Sequence, residues 1–553
     1  MRFFRRLGPL VAAFTLCCSI HPAVALDTWD KAAVTARYLA DFAGTTTTRI
    51  DSEWNGNIAA GIEGTTGAAY REKMIRRVNF YRAMAGVPDD VREDVGLTPP
   101  AQRAALTMAA AGAISHTPKP GWPFYSEAVA QTADTSLLAL SANGLAIDGY
   151  MVDFNHNPPG HRNWLLLPDL VALGIGDISA GPDQQTRRAA VTTPVTGTNR
   201  SARHGFSAWP PPGYVPYSLV YPLWSLNAPD TDMGAAQVKV MEGNVNLNAV
   251  LSYRGQTNIT WTLPGYPHSS NGVSGEIYPH LPRPAAERFF TVTISNVKTG
   301  AGSPRADITY SLVMYDPMAG QSLETGWYHD PREMGVGYAL EPQGSSIVVA
   351  LFAYELSGRP TWQFTGAPFP GSETTLPLTS FINGQIFGSP TPKPPIVLGG
   401  NVRDPALVLL DTKRAALNMQ GVSKDLRRFS FGNGGPDDLQ TGWYWTPSES
   451  GTGWFVEQQG SKIFAGLFGF EAISNSSIGR AAWWVLDLTK SATGQFTGMA
   501  YRYTGGCQAL ASDNCANRAS GSSTAQAAIY QQADGSLRAV VGNVTKTLVR
   551  FRL

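Results

Sequence analysis

Thr325-Gly326-Trp327-Tyr328, followed by Pro331, Glu333, Gly335, Gly337, Glu341, Gln343-Gly344-Ser345, Ile347 and Leu351-Phe352, organises this chain because it occurs twice. It returns as Thr441-Gly442-Trp443-Tyr444, Pro447, Glu449, Gly451, Gly453, Glu457, Gln459-Gly460-Ser461, Ile463 and Leu467-Phe468, at a constant shift of 116 (443 − 327). Gly358-Arg359 and Trp362 return as Gly479-Arg480 and Trp483, shifted by 121 (479 − 358). Val422, Leu426 and Arg428-Phe429 return as Val544, Leu548 and Arg550-Phe551, shifted by 122 (544 − 422). The copies, 319–432 and 433–553, read as tandem β modules with insertions in two loops, one of them the extended Pro390 to Pro395. Neither contains a titratable cluster, so the pair reads as binding or scaffolding, and chemistry is expected upstream.

Composition agrees with a largely β chain. Only 15% of the 553 residues are charged, while there are 57 Gly, 39 Pro and 14 Trp, a mixture that favours short strands and turns. At this length about three to five domains are expected. With 43 basic against 42 acidic residues, the chain has no electrostatic footprint for nucleic acid or for a polybasic membrane contact.

The start reads as a secretory signal over 1–25: Arg2, Arg5 and Arg6, then apolar Leu7 to Ile20, then Ala23-Val24-Ala25 as the cleavage site. Cys17 and Cys18 leave with it, and neither follows the small residue that a lipid anchor requires. Cys507 and Cys515, in a Gly/Ser/Asn-rich loop of an exported chain, read as a stapling disulfide; a redox or metal site there lacks a nearby His or a second Cys pair. No other stretch is long and apolar enough to span a bilayer. The expected location is secreted or periplasmic.

Residues 26–67 are polar and read as a strap or linker. Met74, Val78, Tyr81 and Ala85 follow Tyr70 at helical spacing until Gly86 and Pro88 stop the run. A second helix opens on Pro99-Pro100 and continues through Ala-rich sequence to Ile114, its small side chains allowing close packing. A third helical stretch is expected from Thr135 to Phe154, and a strand from Val171 to Ile178 with Gly174 and Gly176. Ala208 to Gly213 is a Pro-restricted connector, and short β runs from Val238 to Val313 predict a sandwich over 226–318.

The eight histidines locate the chemistry. His116, Glu127 and His161 supply two imidazoles and a carboxylate, enough for three ligands around a divalent metal such as zinc with one position open to water, or for a looser polar cleft. The bland alternative is that each His is a hydrogen-bonded packing residue. His156 reads as a loop residue, His204 has no nameable partner, and Ser201 and Ser207 do not form a nucleophile elbow. In the repeats, Trp327/Trp443, Tyr328/Tyr444 and Trp362/Trp483 read either as an aromatic platform for sugars or peptides or, more simply, as interior filling. Glu341/Glu457 give one carboxylate per copy, short of a glycosidase pair.

Arg77-Val78-Asn79-Phe80-Tyr81-Arg82, Ser115-His116-Thr117, Ser126-Glu127 and Gly160-His161-Arg162-Asn163-Trp164-Leu165-Leu166 with Gly174-Ile175-Gly176 resemble, in order, the bacterial branch of the CAP superfamily, the SCP-like domains. The resemblance covers 68–225 and implies an α+β chain: an α-β-α sandwich followed by all-β modules. It also implies a cleft lined by two His and two acids, with His116, Glu127 and His161 as three of them. The fourth position offers Asp148 or Asp153 and no Glu. Relatives linked to lipid, cell wall and proteolysis imply two functions. The first is a non-catalytic extracellular or envelope protein binding lipid, glycan or protein, and the alternative is a metal-assisted peptidase. Adhesion through the repeats alone is a third reading.

Overall fold

The computed structural model describes residues 25–45, 52–141, 144–153, 157–178, 188–265, 280–331, 333, 335–369, 373–400, 404–419, 422–432, 436–473, 478–508 and 519–553. The expected signal, apart from Ala25, lies outside the described residues, as do Cys17, Cys18, His156 and Cys515. Cys507 is buried.

The N-terminal part is mixed α/β. Helix α1 (Lys31–Arg37) leads through further helical turns to Thr45, and Leu26, Val34 and Phe42 of this segment enter the main core. Residues 26–45 are therefore a packed strap. Helix α2 (Ala68–Ala85) buries Tyr70, Met74, Val78, Tyr81 and Ala85, the stripe its sequence spacing predicts, and ends at Gly86 with φ 71°. Helix α3 (Thr98–Ala111) ends at Gly112, before the expected Ile114. Helix α4 (Glu127–Asp134) is capped by the Ser126 side chain, which accepts from the Val129 N–H.

The stretch 135–154 corrects the expectation of one helix. Among its described residues only α5 (Leu145–Val152) is helical, and Leu137–Ala139 is a strand because it hydrogen-bonds to the sheet edge. That sheet has four strands: β1 (Arg92–Glu93), β2 (Leu137–Ala139), β3 (Leu170–Ile178) and β4 (Ala189–Thr196), in the order β1-β3-β4-β2. Leu137 and Ala190 join the core of α2 and α5, whereas their neighbours Leu138, Ala189 and Val191 join the core of α3 and α4. This alternation is the two-residue period of a strand, whose successive side chains enter different cores. A short helix, α6 (Gly160–Leu165), precedes β3.

Two antiparallel-rich sheets follow. One contains Val245–Asn246, Gln237–Glu242, Arg288–Ser295, Ile308–Tyr315 and Gly213–Pro216; the other contains Val250–Arg254, Asn258–Thr262, Trp224–Asn227 and Ser207–Trp209. Strands from 207–227 thus belong to these sheets, ahead of the expected boundary at 226, and the connector at Trp209-Pro210 lies between two of them.

The last part is built from the two copies. Copy 2 is a closed eight-stranded antiparallel barrel running from Gly442–Trp445 to Val544–Arg550. Copy 1 places strands in the same order, but among the described residues its ladder is not closed. The edge of Pro360–Pro368 is taken by Thr379–Ile382, itself paired with Ile396–Gly400, and Pro390 to Pro395 link those two strands.

Trp327, Trp362, Trp443 and Trp483 are buried in one cluster drawn from both copies, while Tyr328 and Tyr444 fill the cores of their own copies. The aromatic-platform reading is thereby corrected: these rings pack against protein, and the tryptophans do so across the contact between copies. Glu341 and Glu457 are buried there too.

Candidate functional site

His161 is held by two contacts to Asp153. It sits in the first turn of α6, where its own N–H and that of Arg162 both donate to Asp153 Oδ2, at 2.9 and 3.3 Å. Its Nδ1 contacts Asp153 Oδ1 at 2.8 Å, and its ring lies 5.0 Å from that of Tyr150. Tyr150 is fixed in turn, because its hydroxyl donates to the Leu137 carbonyl at 3.0 Å. Arg162 points the other way, into the core, where it donates to the carbonyls of Met151, Val152 and Leu223. The Gly160-His161-Arg162 sequence therefore divides two tasks between neighbours: Arg162 anchors the helix and His161 is presented at the surface of the site. Trp164, one turn on and on the same helix face as His161, is 47% exposed.

Asp153 and Asp148 have different roles. Asp153 positions His161. Asp148 is absorbed by the core: Arg77 Nε and Nη2 meet its two oxygens at 2.7 Å each, and the Tyr81 hydroxyl donates to it at 2.8 Å. It is a structural counter-ion and does not face a cleft. Burial and the nearby Asp148 charge push the Tyr81 phenol well above its ordinary value.

His116 and Glu127 are engaged at α4. His116 follows the end of α3 and is exposed, with its Nδ1–H on the carbonyl of Ala133 at 2.9 Å. Glu127, also exposed, opens α4 and accepts from the Tyr125 hydroxyl at 2.7 Å, which raises the Tyr125 phenol. Ala133 and Glu127 are at opposite ends of α4, about 9 Å apart along its axis at 1.5 Å per residue. The ligand set expected for zinc is accordingly not gathered. Among the described residues, no three His, Cys, Asp or Glu stand together so as to hold a metal ion.

The Tyr150 and Asp153 contacts were not assigned from sequence. A signal was present, since both residues lie on or at the end of the short helix just before Gly160-His161. Among the described residues, no helix is long and apolar enough to cross a membrane.

No curated protein and no solved structure matches the chain. Residues 75–192, from within α2 to within β4, match the family model of CAP, the cysteine-rich secretory protein family. His116, Glu127, Asp153 and His161 all fall inside that match, and the chain carries a CAP domain.

Proposed function

We propose that this is an exported protein whose CAP domain binds an extracellular or envelope ligand, lipid, glycan or protein, without catalysing its turnover. The observation that carries this reading is the separation of the donors. His116 is engaged at one end of α4 and Glu127 at the other, while His161 is held by Asp153 and lies on the same helix face as the exposed Trp164. Such an arrangement offers a fixed polar group beside an aromatic surface, which suits recognition. An α-β-α sandwich is part of the same reading, supported by the alternation of β2 and β4 side chains between two helix-covered cores. Export rests on the basic, apolar and small-residue succession of 1–25, and the Cys507 to Cys515 staple rests on the buried Cys507 in a chain so exported.

One observation favours the metal-assisted peptidase instead. A His oriented by a buried carboxylate is the usual form of a general base. Zinc titration of the full chain by calorimetry, paired with hydrolysis of a fluorescent protein substrate, separates the two. Neither zinc binding nor hydrolysis is expected; stoichiometric zinc and hydrolysis lost together in His161→Ala would overturn the binding reading.

A further inference from the structure

Copy 1 contains a pair of charges sealed inside its barrel-like core. Lys424, in the strand Val422–Arg428, and Glu333, in the turn before Gly337–Gln343, are each 4% exposed, with Nζ 2.6 Å from Oε1. The other oxygen, Oε2, accepts from the Tyr338 hydroxyl at 2.9 Å. Asp330, fully buried, belongs to the same turn: its carbonyl accepts from the Glu333 N–H, and its Oδ2 accepts from the N–H of Asp425, the neighbour of Lys424. A nucleophile, a carboxyl carbon, a hydroxyl on the carboxyl oxygen and a second carboxylate are thus brought together away from water.

We propose that Lys424 and Glu333 form an intramolecular amide, a covalent cross-link between the first turn and the last strand of copy 1. In this step one Nζ proton passes to the Glu333 carboxylate, which frees the nitrogen lone pair. Burial acts on Glu333 in that direction, pushing its carboxyl up against the opposing pull of Lys424. The Nζ lone pair attacks Cδ, and Tyr338 steadies the oxygen that takes up the charge. Asp330 takes a proton from nitrogen and returns it to the departing hydroxide. One C–N bond forms, one C–O bond breaks and one water leaves, with no oxidant or co-reactant.

Copy 2 supplies the internal comparison. Its equivalents, Glu449 and Lys546, also pair, but they are 14% and 15% exposed. Trp454 stands where copy 1 has Tyr338, and Thr446 where it has Asp330. Copy 2 therefore has neither the hydroxyl nor the second acid, and it remains an ion pair. The difference follows need: copy 2 is closed by hydrogen bonds, whereas among the described residues the ladder of copy 1 stays open and a bond from Glu333 to Lys424 encloses most of that copy.

Peptide mapping of the full chain, reduced and digested, tests this on the unaltered protein. The expected result is one linked species joining the peptides of Glu333 and Lys424, lighter than their sum by one water, with the Glu449 and Lys546 peptides separate. Glu333→Gln should yield the same linked product by losing ammonia, and Lys424→Arg should yield none. Recovery of the wild-type Glu333 and Lys424 peptides unlinked and at full mass would overturn the proposal, whatever the variants do.

Discussion

The Arg77 to Asp148 contact shows how a single residue pair governs the N-terminal core. The guanidinium also donates to the Phe42 carbonyl at 2.8 Å, so the same side chain ties the strap to α2 and α5. Asp148→Ala leaves this buried cation without its counter-charge, and a loss of about 3–5 kcal/mol is expected in urea unfolding. A loss below about 1 kcal/mol, the range of an exposed pair, would show that the ion pair is hydrated. Histidine burial sets the response to acid. Burial lowers His280 below its ordinary 6.5, and the Leu281 carbonyl and Glu373 only partly oppose it; His204 and His329 are also lowered by burial. Unfolded chains take up a proton at these sites at higher pH than the folded one does. Their contribution is therefore complete above 6.5 and is lost as pH falls towards the folded values. The melting temperature should drop between about pH 7 and 5.5, and His280→Gln should drop less over that interval. An equal drop would assign the acid sensitivity to other groups.

At the scale of elements, the packing of α3 on the sheet is decided by absent side chains. A Cβ at Gly174 would stand 2.5 Å from Leu97 Cβ, and one at Gly176 would stand 2.2 Å from the Ala101 carbonyl oxygen. Since the latter is backbone, α3 itself must move in Gly176→Ala, and a cost of about 1–3 kcal/mol is expected from thermal unfolding, with far-UV dichroism unchanged. Stability equal to wild type would mean that the helix is less tightly seated. Both partners of this contact were readable: the Ala-rich helix and the spaced glycines each carry their signal locally. The helices α2 and α3 were likewise legible because their stripes and Gly stops lie within a few residues. The strand Leu137–Ala139 was not, since its assignment depends on pairing with Thr192, Val191 and Ala190, more than fifty positions away. The same limit applied to the site. His161 and Asp153 were both picked out as candidates, but only the fold shows that their side chains meet, and only the fold places Glu127 and His116 at opposite ends of α4.

Across the whole C-terminal half, the two copies meet by exchanging the same contacts in both directions. The Trp327 N–H donates to Glu457 Oε2 and the Trp443 N–H to Glu341 Oε2, each at 2.7 Å. Arg428 pairs with Glu457, and Arg550 pairs with Glu341. Trp362 Nε1 donates to the Gly469 carbonyl and Trp483 Nε1 to that of Ala353, each at 3.0 Å. Even the required glycines match: a Cβ at Gly326 would lie 2.0 Å from Arg428 Cζ, and one at Gly442 2.1 Å from Arg550 Nη1. This is the self-complementary geometry of a two-fold dimer, carried within one chain. Repetition in the sequence marked these residues, yet a repeat records only that a residue recurs. Whether the recurring side chain faces its own core, its twin or solvent is settled by how the copies dock. Reciprocity has an energetic consequence. Glu341→Ala strands Arg550 and the Trp443 N–H, and Glu457→Ala strands Arg428 and the Trp327 N–H, so each should cost about 3–5 kcal/mol. Because each carboxylate serves the other copy, either variant should lower the calorimetric transition of both copies together. Two separate transitions, with only one displaced by Glu457→Ala, would mean that the copies fold as independent units and that the contact between them adds little.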